Sequence, residues 1–113
     1  MVEIVWEFVV KAGSQGQFEL AYGPGGAWSK LFGRCAGFRG TTVLRDSKNP
    51  RRYLTIDLWD SEVERERALA DHKEEYTELD TAFAEWTESE TEVGIFSVMV
   101  EATVRPRART KRR

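Results

Sequence analysis

Apolar and polar residues alternate from the first positions of the chain. Val2, Ile4, Trp6, Phe8 and Val10 share one face at period two. Val5 and Val9 keep the other face partly apolar, and the pattern predicts a strand over 2–10. Lys11-Ala12-Gly13 turns the chain, and Ser14 stands where an N-cap would open a helix carrying Phe18 and Tyr22 at i, i+4. Gly23-Pro24-Gly25-Gly26 must end that helix, and the same glycines would serve as a hinge. A second short helix is expected to present Trp28, Leu31, Phe32 and Cys35 on one face, closed by Gly37. Phe38–Asp46 and Arg51–Trp59 then read as a hairpin around Ser47-Lys48-Asn49-Pro50.

From Ser61 to Trp86 the pattern becomes helical. Leu69, His72, Tyr76, Leu79, Phe83 and Trp86 form a single inward stripe, and Ser61 with Glu64 forms a capping box at its start. The last strand is expected over Glu92–Val100, with Val93, Ile95 and Met99 on one face and Phe96, Val98 and Val100 on the other. The order β-α-β-β-α-β predicts an α+β, ferredoxin-like fold with a four-stranded antiparallel sheet. Two helical layers cover only one face of such a sheet. Because the first and last strands are apolar on both faces, a homodimer with facing sheets is expected.

Charge changes this picture at one end only. The 113 residues carry a formal charge of −2, but six of the 17 basic side chains fall in 105–113. Residues 1–104 therefore hold eleven bases against all 19 acids, a net of −8, and the tail holds +6. The chain divides into a domain, 1–104, and a basic C-terminal tail, 105–113. A globally basic nucleic-acid binder is excluded, leaving at most a weak, salt-sensitive contact with nucleic acid or another polyanion through the tail. Thirteen acids against three bases between Asp60 and Glu92 mark a solvated helix face. No apolar run approaches the length of a membrane span. The acidic N-terminus does not fit a signal peptide, and a single cysteine suits a reducing compartment, so a cytoplasmic protein is expected. One His and one Cys fall short of a zinc site, and no metal is expected.

The residues Trp6-Glu7-Phe8, Phe18-Glu19-x-x-Tyr22-Gly23-Pro24 and Trp28-x-x-Leu31-Phe32 resemble the antibiotic-biosynthesis-monooxygenase (ABM) family. Arg52-Tyr53-Leu54-Thr55-Ile56-Asp57-x-Trp59 and Glu75-Tyr76-x-x-Leu79-Asp80 carry the same resemblance, which spans roughly residues 2–100. It implies a dimeric α+β barrel with a pocket in each subunit between sheet and helices. The superfamily includes cofactor-independent oxygenases, haem-degrading oxygenases, isomerases and members without known chemistry. Haem-degrading relatives use an Asn on the first strand and a Trp–His pair on the second helical stretch. Here the strand has Glu7 instead, and His72 follows a segment, 62–71, that lacks Trp. Anthrone-type oxygenases use Asn, Trp, Tyr and Arg. Trp59 and Tyr76 match the Trp and Tyr, while Thr55 and Asp57 stand where the Asn would be sought.

The residues themselves suggest a site. His72, the one side chain with an ordinary pKa near neutrality, is the candidate general base, and Tyr76 one turn later is a candidate proton relay. Tyr22, Trp28, Phe32 and Trp59 would line a flat aromatic slot. Asp57, inside a strand between Ile56 and Leu58, joins the substrate-binding set. Buried there, it would have a raised pKa and could act as a base or pair with an arginine. Together with these residues, the resemblance implies a small oxidoreductase, a monooxygenase without cofactor acting on an aromatic or polyketide-like compound. The alternatives are a non-catalytic dimeric binder of a hydrophobic small molecule and, further off, a haem protein.

Overall fold

The computed structural model describes residues 1–104, so the basic tail and any contact made through it lie outside the described residues. The elements are β1 (Val2–Val10), α1 (Gln15–Tyr22), α2 (Ala27–Phe32), β2 (Phe38–Arg45), β3 (Arg52–Trp59), α3 (Glu62–Asp71), α4 (Lys73–Ala84) and β4 (Thr87–Ser97). A short 3-10 turn, Val100–Ala102, follows. The sheet order is β2-β3-β1-β4 with every neighbouring pair antiparallel, the ferredoxin-like arrangement.

Period two decides what each strand buries. On β3, Tyr53, Thr55, Asp57 and Trp59 are buried under the helices, whereas Arg52, Leu54, Ile56 and Leu58 face the other way and are half-buried. The helix side closes over aromatic rings. Phe18, fully buried at the centre, lies 4.6 Å from Tyr53, 4.9 Å from Phe83 and 5.3 Å from Phe8 between ring centroids. Such pairs contribute about 0.5–1.5 kcal/mol each beyond the area they bury. The opposite face carries Val5, Leu54, Ile56 and Leu58 half-buried and Leu44 and Phe96 exposed, crossed by Arg52 bonded to Glu7 and Asp46.

The hairpin forms as expected: Asp46 Oδ1 accepts from the amides of Lys48 and Asn49 and folds the turn. Ser61 caps α3, accepting from the Glu64 amide at 3.2 Å, worth about 1 kcal/mol. Ser14 precedes α1 but makes no side-chain capping bond.

Three expectations change. The long helix is two, divided at His72 (φ −117°, ψ 30°). α3 packs on β3 while α4 packs on α2 and β4, and one straight rod does not serve both partners. Secondly, β4 begins at Thr87 rather than Glu92, because pairing with β1 recruits a segment too polar to read as a strand. Its register also shifts twice. Val5 faces Gly94 and Trp6 faces Glu92, so Val93 bulges out, and a second shift skips Glu88. Val93 and Ile95 therefore do not line one inner face.

Thirdly, the glycine linker forms a closed turn. Ser29 Oγ donates to the carbonyls of Gly23 (2.9 Å) and Gly26 (3.0 Å). At Gly26 a Cβ would stand 2.1 Å from the Leu20 carbonyl oxygen and 2.4 Å from that of Ala21. Gly26 thus lets α2 start directly against the end of α1. Gly26→Ala is expected to cost about 1–3 kcal/mol, read as a lower midpoint in urea, because backbone must move. An unchanged midpoint would show that the two helices are not held this closely.

Candidate functional site

The turn at Gly26 sets Trp28 against Tyr22, stacked with centroids 6.0 Å apart and planes 19° from parallel. Trp28 also stacks on Phe32 and meets Tyr76 edge-on. Phe32 in turn meets Trp59 edge-on at 5.6 Å. These rings wall one cavity between the helices and the sheet, enclosing about 470 Å³ including its open mouth. Trp6 and Phe8 of β1, Leu69 of α3 and Phe83 of α4 complete its apolar walls, while Asp57, Arg65, Asp80 and Glu90 supply charge. The innermost part is narrow, with room for about two waters.

Asp57 is the most unusual group. Only 7% exposed, it stands opposite Thr41 on β2 and Ile4 on β1, and accepts a hydrogen bond from Thr41 Oγ1 at 2.6 Å. No arginine or lysine lies within ion-pairing distance among the described residues. Burial pushes its carboxyl up to about 6, against the smaller opposing effects of the Thr41 hydroxyl and the Arg65 charge. The Tyr22 phenol is held well above its usual range by burial and then by Asp57. Tyr76 is raised by burial and then by Asp80. Both phenols stay protonated at neutral pH, both residues line the cavity, and the Tyr22 hydroxyl lies beside that of Thr55. Trp59 Nε1 is buried without a partner, and Trp59 itself lines the cavity.

Of the seven residues singled out by sequence, Tyr22, Trp28, Phe32, Asp57, Trp59 and Tyr76 converge on this cavity. His72 does not. At the junction of α3 and α4 it lines a separate polar depression with Arg34, Cys35 and Asp71, its Nδ1 3.6 Å from Glu75 Oε1. The helix break explains this. Spacing places residues 72 and 76 on one face only if the helix is continuous, and the irregular backbone at His72 turns the ring away. Cys35 lies beyond the end of α2, where its thiol donates to the Leu31 carbonyl and burial raises its pKa, so it is not an activated nucleophile.

Arg65, Asp80, Glu90 and Thr41 were not anticipated. Arg65 precedes Leu69 by four residues and Asp80 follows Tyr76 by four, so each lay on the apolar stripe, hidden by its polarity. Glu90 had no such signal. It turns inward because the two bulges reverse the alternation of β4 between Ser89 and Glu92, placing Glu90 opposite Phe8.

The split-βαβ sheet with its helices on one face defines the class: the fold is that of antibiotic biosynthesis monooxygenase-type proteins. No protein-family model matches the chain, and no curated protein matches its sequence. Solved structures do. SnoaB, a cofactor-independent oxygenase from Streptomyces nogalater, is similar in a point-mutant form at 25% identity over 94% of this chain and 97% of that one, with a TM-score of 0.73. A second structure of SnoaB gives 26% identity, 87% and 92% coverage and a TM-score of 0.70. A presumed antibiotic biosynthesis monooxygenase from Bordetella bronchiseptica shares the fold at 18% identity, covering 88% of this chain and 97% of its own, also with a TM-score of 0.70. No helix among the described residues is long and apolar enough to cross a membrane.

Proposed function

We propose that this protein is a cofactor-independent monooxygenase that oxidises a flat aromatic or polyketide-like compound at an acidic C–H, with Asp57 as the base. The observation that carries the reading is a buried, unpaired carboxylate with a pKa near 6 inside an aromatic-walled cavity. The likeness to SnoaB supports the reaction class.

The chemistry follows from the residues. Asp57 takes a proton from a CH2 group flanked by aromatic rings, and the ring system delocalises the resulting carbanion. Arg65, beside the cavity, offsets the new negative charge, and Trp59 Nε1 donates to the oxygen that accumulates it. The carbanion reduces O2 and combines with it to form a C–O bond, giving a peroxide that recovers the proton from Asp57. Asp57 then removes the second C–H proton as the O–O bond breaks. The CH2 becomes C=O, and the distal oxygen leaves as water. One CH2 and one O2 give one C=O and one H2O. The carbanion is the reductant, so no cofactor is required. Tyr22 and Tyr76 orient the substrate, and Trp28 and Phe32 hold its plane and exclude water.

The uncovered apolar face of the sheet supports a homodimer, its second copy seated on Leu54, Ile56, Leu58 and Phe96. We place the domain boundary after residue 104 and the protein in a reducing cytoplasm.

The test is oxygen uptake with an anthrone, followed against pH. Uptake is expected to rise with a midpoint near 6 as Asp57 loses its proton, because the base works only when ionised. His72→Ala is expected to leave turnover within about twofold, since its ring stands outside the cavity. Anthrone binding without uptake would favour the non-catalytic binder. A large loss in His72→Ala would return the base to His72.

A further inference from the structure

β2 carries a bulge of its own, and it decides what stands beside Asp57. Phe38 pairs with Trp59, but Gly40 pairs with Leu58 and Thr41 with Asp57, so Arg39 is the extra residue. A regular ladder from Phe38 would set Gly40, which has no side chain, opposite Asp57. The bulge moves β2 by one residue and delivers the Thr41 hydroxyl instead. Two features hold it. Gly40 takes a φ of 131°, a backbone that residues with a side chain rarely adopt. Arg39 is clamped by Asp60, its Nε 2.6 Å from one carboxylate oxygen and its Nη2 2.9 Å from the other. The Asp60 amide also donates to the Gly37 carbonyl at 2.8 Å, tying the end of β3 to the start of β2.

Opposed residues of an antiparallel pair share one side of the sheet, so Thr41 meets Asp57 under the helices. The 2.6 Å bond goes to Oδ1, and among the described residues no group donates to Oδ2. Asp57 lines the aromatic cavity, whereas Thr41 lines the neighbouring groove with Glu19, Val43 and Tyr53. One carboxylate oxygen is thus tied back towards β2, and the other is left for the cavity. The further groups that act on this carboxyl are Arg65 of α3 and the phenols of Tyr22 on α1 and Tyr76 on α4, while Ile4 of β1 adds no charge. Only Thr41 bonds it directly. Resting on the assignment of Asp57 as the base, we propose that Thr41 is its positioning residue: the hydroxyl fixes the carboxylate through Oδ1 and keeps Oδ2 on the substrate C–H. A hydroxyl that donates to a carboxylate also favours its charged form, so removing it must shift the titration.

Thr41→Val keeps the shape and suits an edge strand, and Thr41→Ser keeps the hydroxyl. The Asp57 carboxyl carbon, assigned by its loss in Asp57→Asn, is followed against pH by NMR beside anthrone-dependent oxygen uptake. In Thr41→Val both midpoints are expected to rise from about 6 by about one pH unit. On the plateau above the new midpoint, kcat is expected to stay about tenfold low with KM within about twofold, because the base is charged but no longer held. Thr41→Ser should restore both. A midpoint that does not move, a plateau kcat equal to the parent's, or serine behaving as valine does overturns the inference and leaves Asp57 as the base. Parent protein that takes up no oxygen with anthrone overturns the oxygenase reading, and the inference falls with it.

Discussion

Above neutral pH, Asp57→Asn is expected to be more stable than the parent and nearly inactive. The carboxyl titrates near 6 in the folded protein against 3.8 in an unperturbed chain. Between those values the folded state keeps a proton that the unfolded state has released. Stability therefore falls as pH rises through that window, by about 3 kcal/mol in all, and stays at its lower level above it. Asparagine has the same shape, leaves the Thr41 hydroxyl an acceptor and carries no charge to bury. It should abolish that slope and recover most of the difference, measured by urea denaturation at pH values on either side of the window. Turnover should fall about 10²–10⁴-fold, the usual worth of a positioned base, while aromatic affinity changes little. Parent and variant with the same pH slope would show that Asp57 is not charged at a cost in the fold. Retained oxygen uptake would show that it is not the base. Gain of stability with loss of activity, from one atom's change, is the signature of a group kept for chemistry.

Trp59 is expected to separate packing from recognition. It is fully buried at the end of β3 against Phe32 and Phe38. Truncation to alanine should cost about 3–5 kcal/mol, enough to leave a domain of this size barely folded. Phenylalanine keeps much of the ring packing and removes an indole N–H that has no partner. That variant should lose much less stability than alanine. Its affinity for a carbonyl-bearing aromatic such as anthrone should fall about tenfold, close to the worth of one buried hydrogen bond. Calorimetry on anthrone and anthracene in parallel checks the assignment. An equal loss for both ligands would mean that the indole only fills space.

How far the sequence carried the site depended on the kind of residue. Tyr22, Trp28, Phe32 and Trp59 were legible because apolar residues at regular spacing have one destination, the interior, and the fold brings their elements together there. Asp57 was legible as a buried carboxylate because β3 alternates without interruption. Its lack of a cationic partner was not, since that depends on what β2 and α3 place beside it. His72 lies outside the cavity for a geometric reason. Its membership of the stripe assumed one helix, and no Gly or Pro near residue 72 announced the break, which follows from α3 and α4 having different partners. Arg65 and Asp80 lay on the same stripe and were read as solvent-facing because they are charged. The fold was more legible than the site. Hairpin, capping box and element order depend on neighbours in sequence, whereas the start and bulges of β4 depend on β1, some eighty residues away.

β4 closes the sheet on one side, so among the described residues its outer backbone amides and carbonyls have no strand to pair with. A free strand edge recruits other chains, and proteins suppress such growth with charge and with breaks in the regular ladder. β4 has both: Glu88, Glu90 and Glu92 along its length, and two bulges that interrupt it. The segment that lends Glu90 to the cavity is thus also the one that guards the sheet's edge. Replacing its acids to reshape the cavity would also strip the guard from the sheet's edge, and such variants would be expected to meet aggregation before they meet a limit in catalysis.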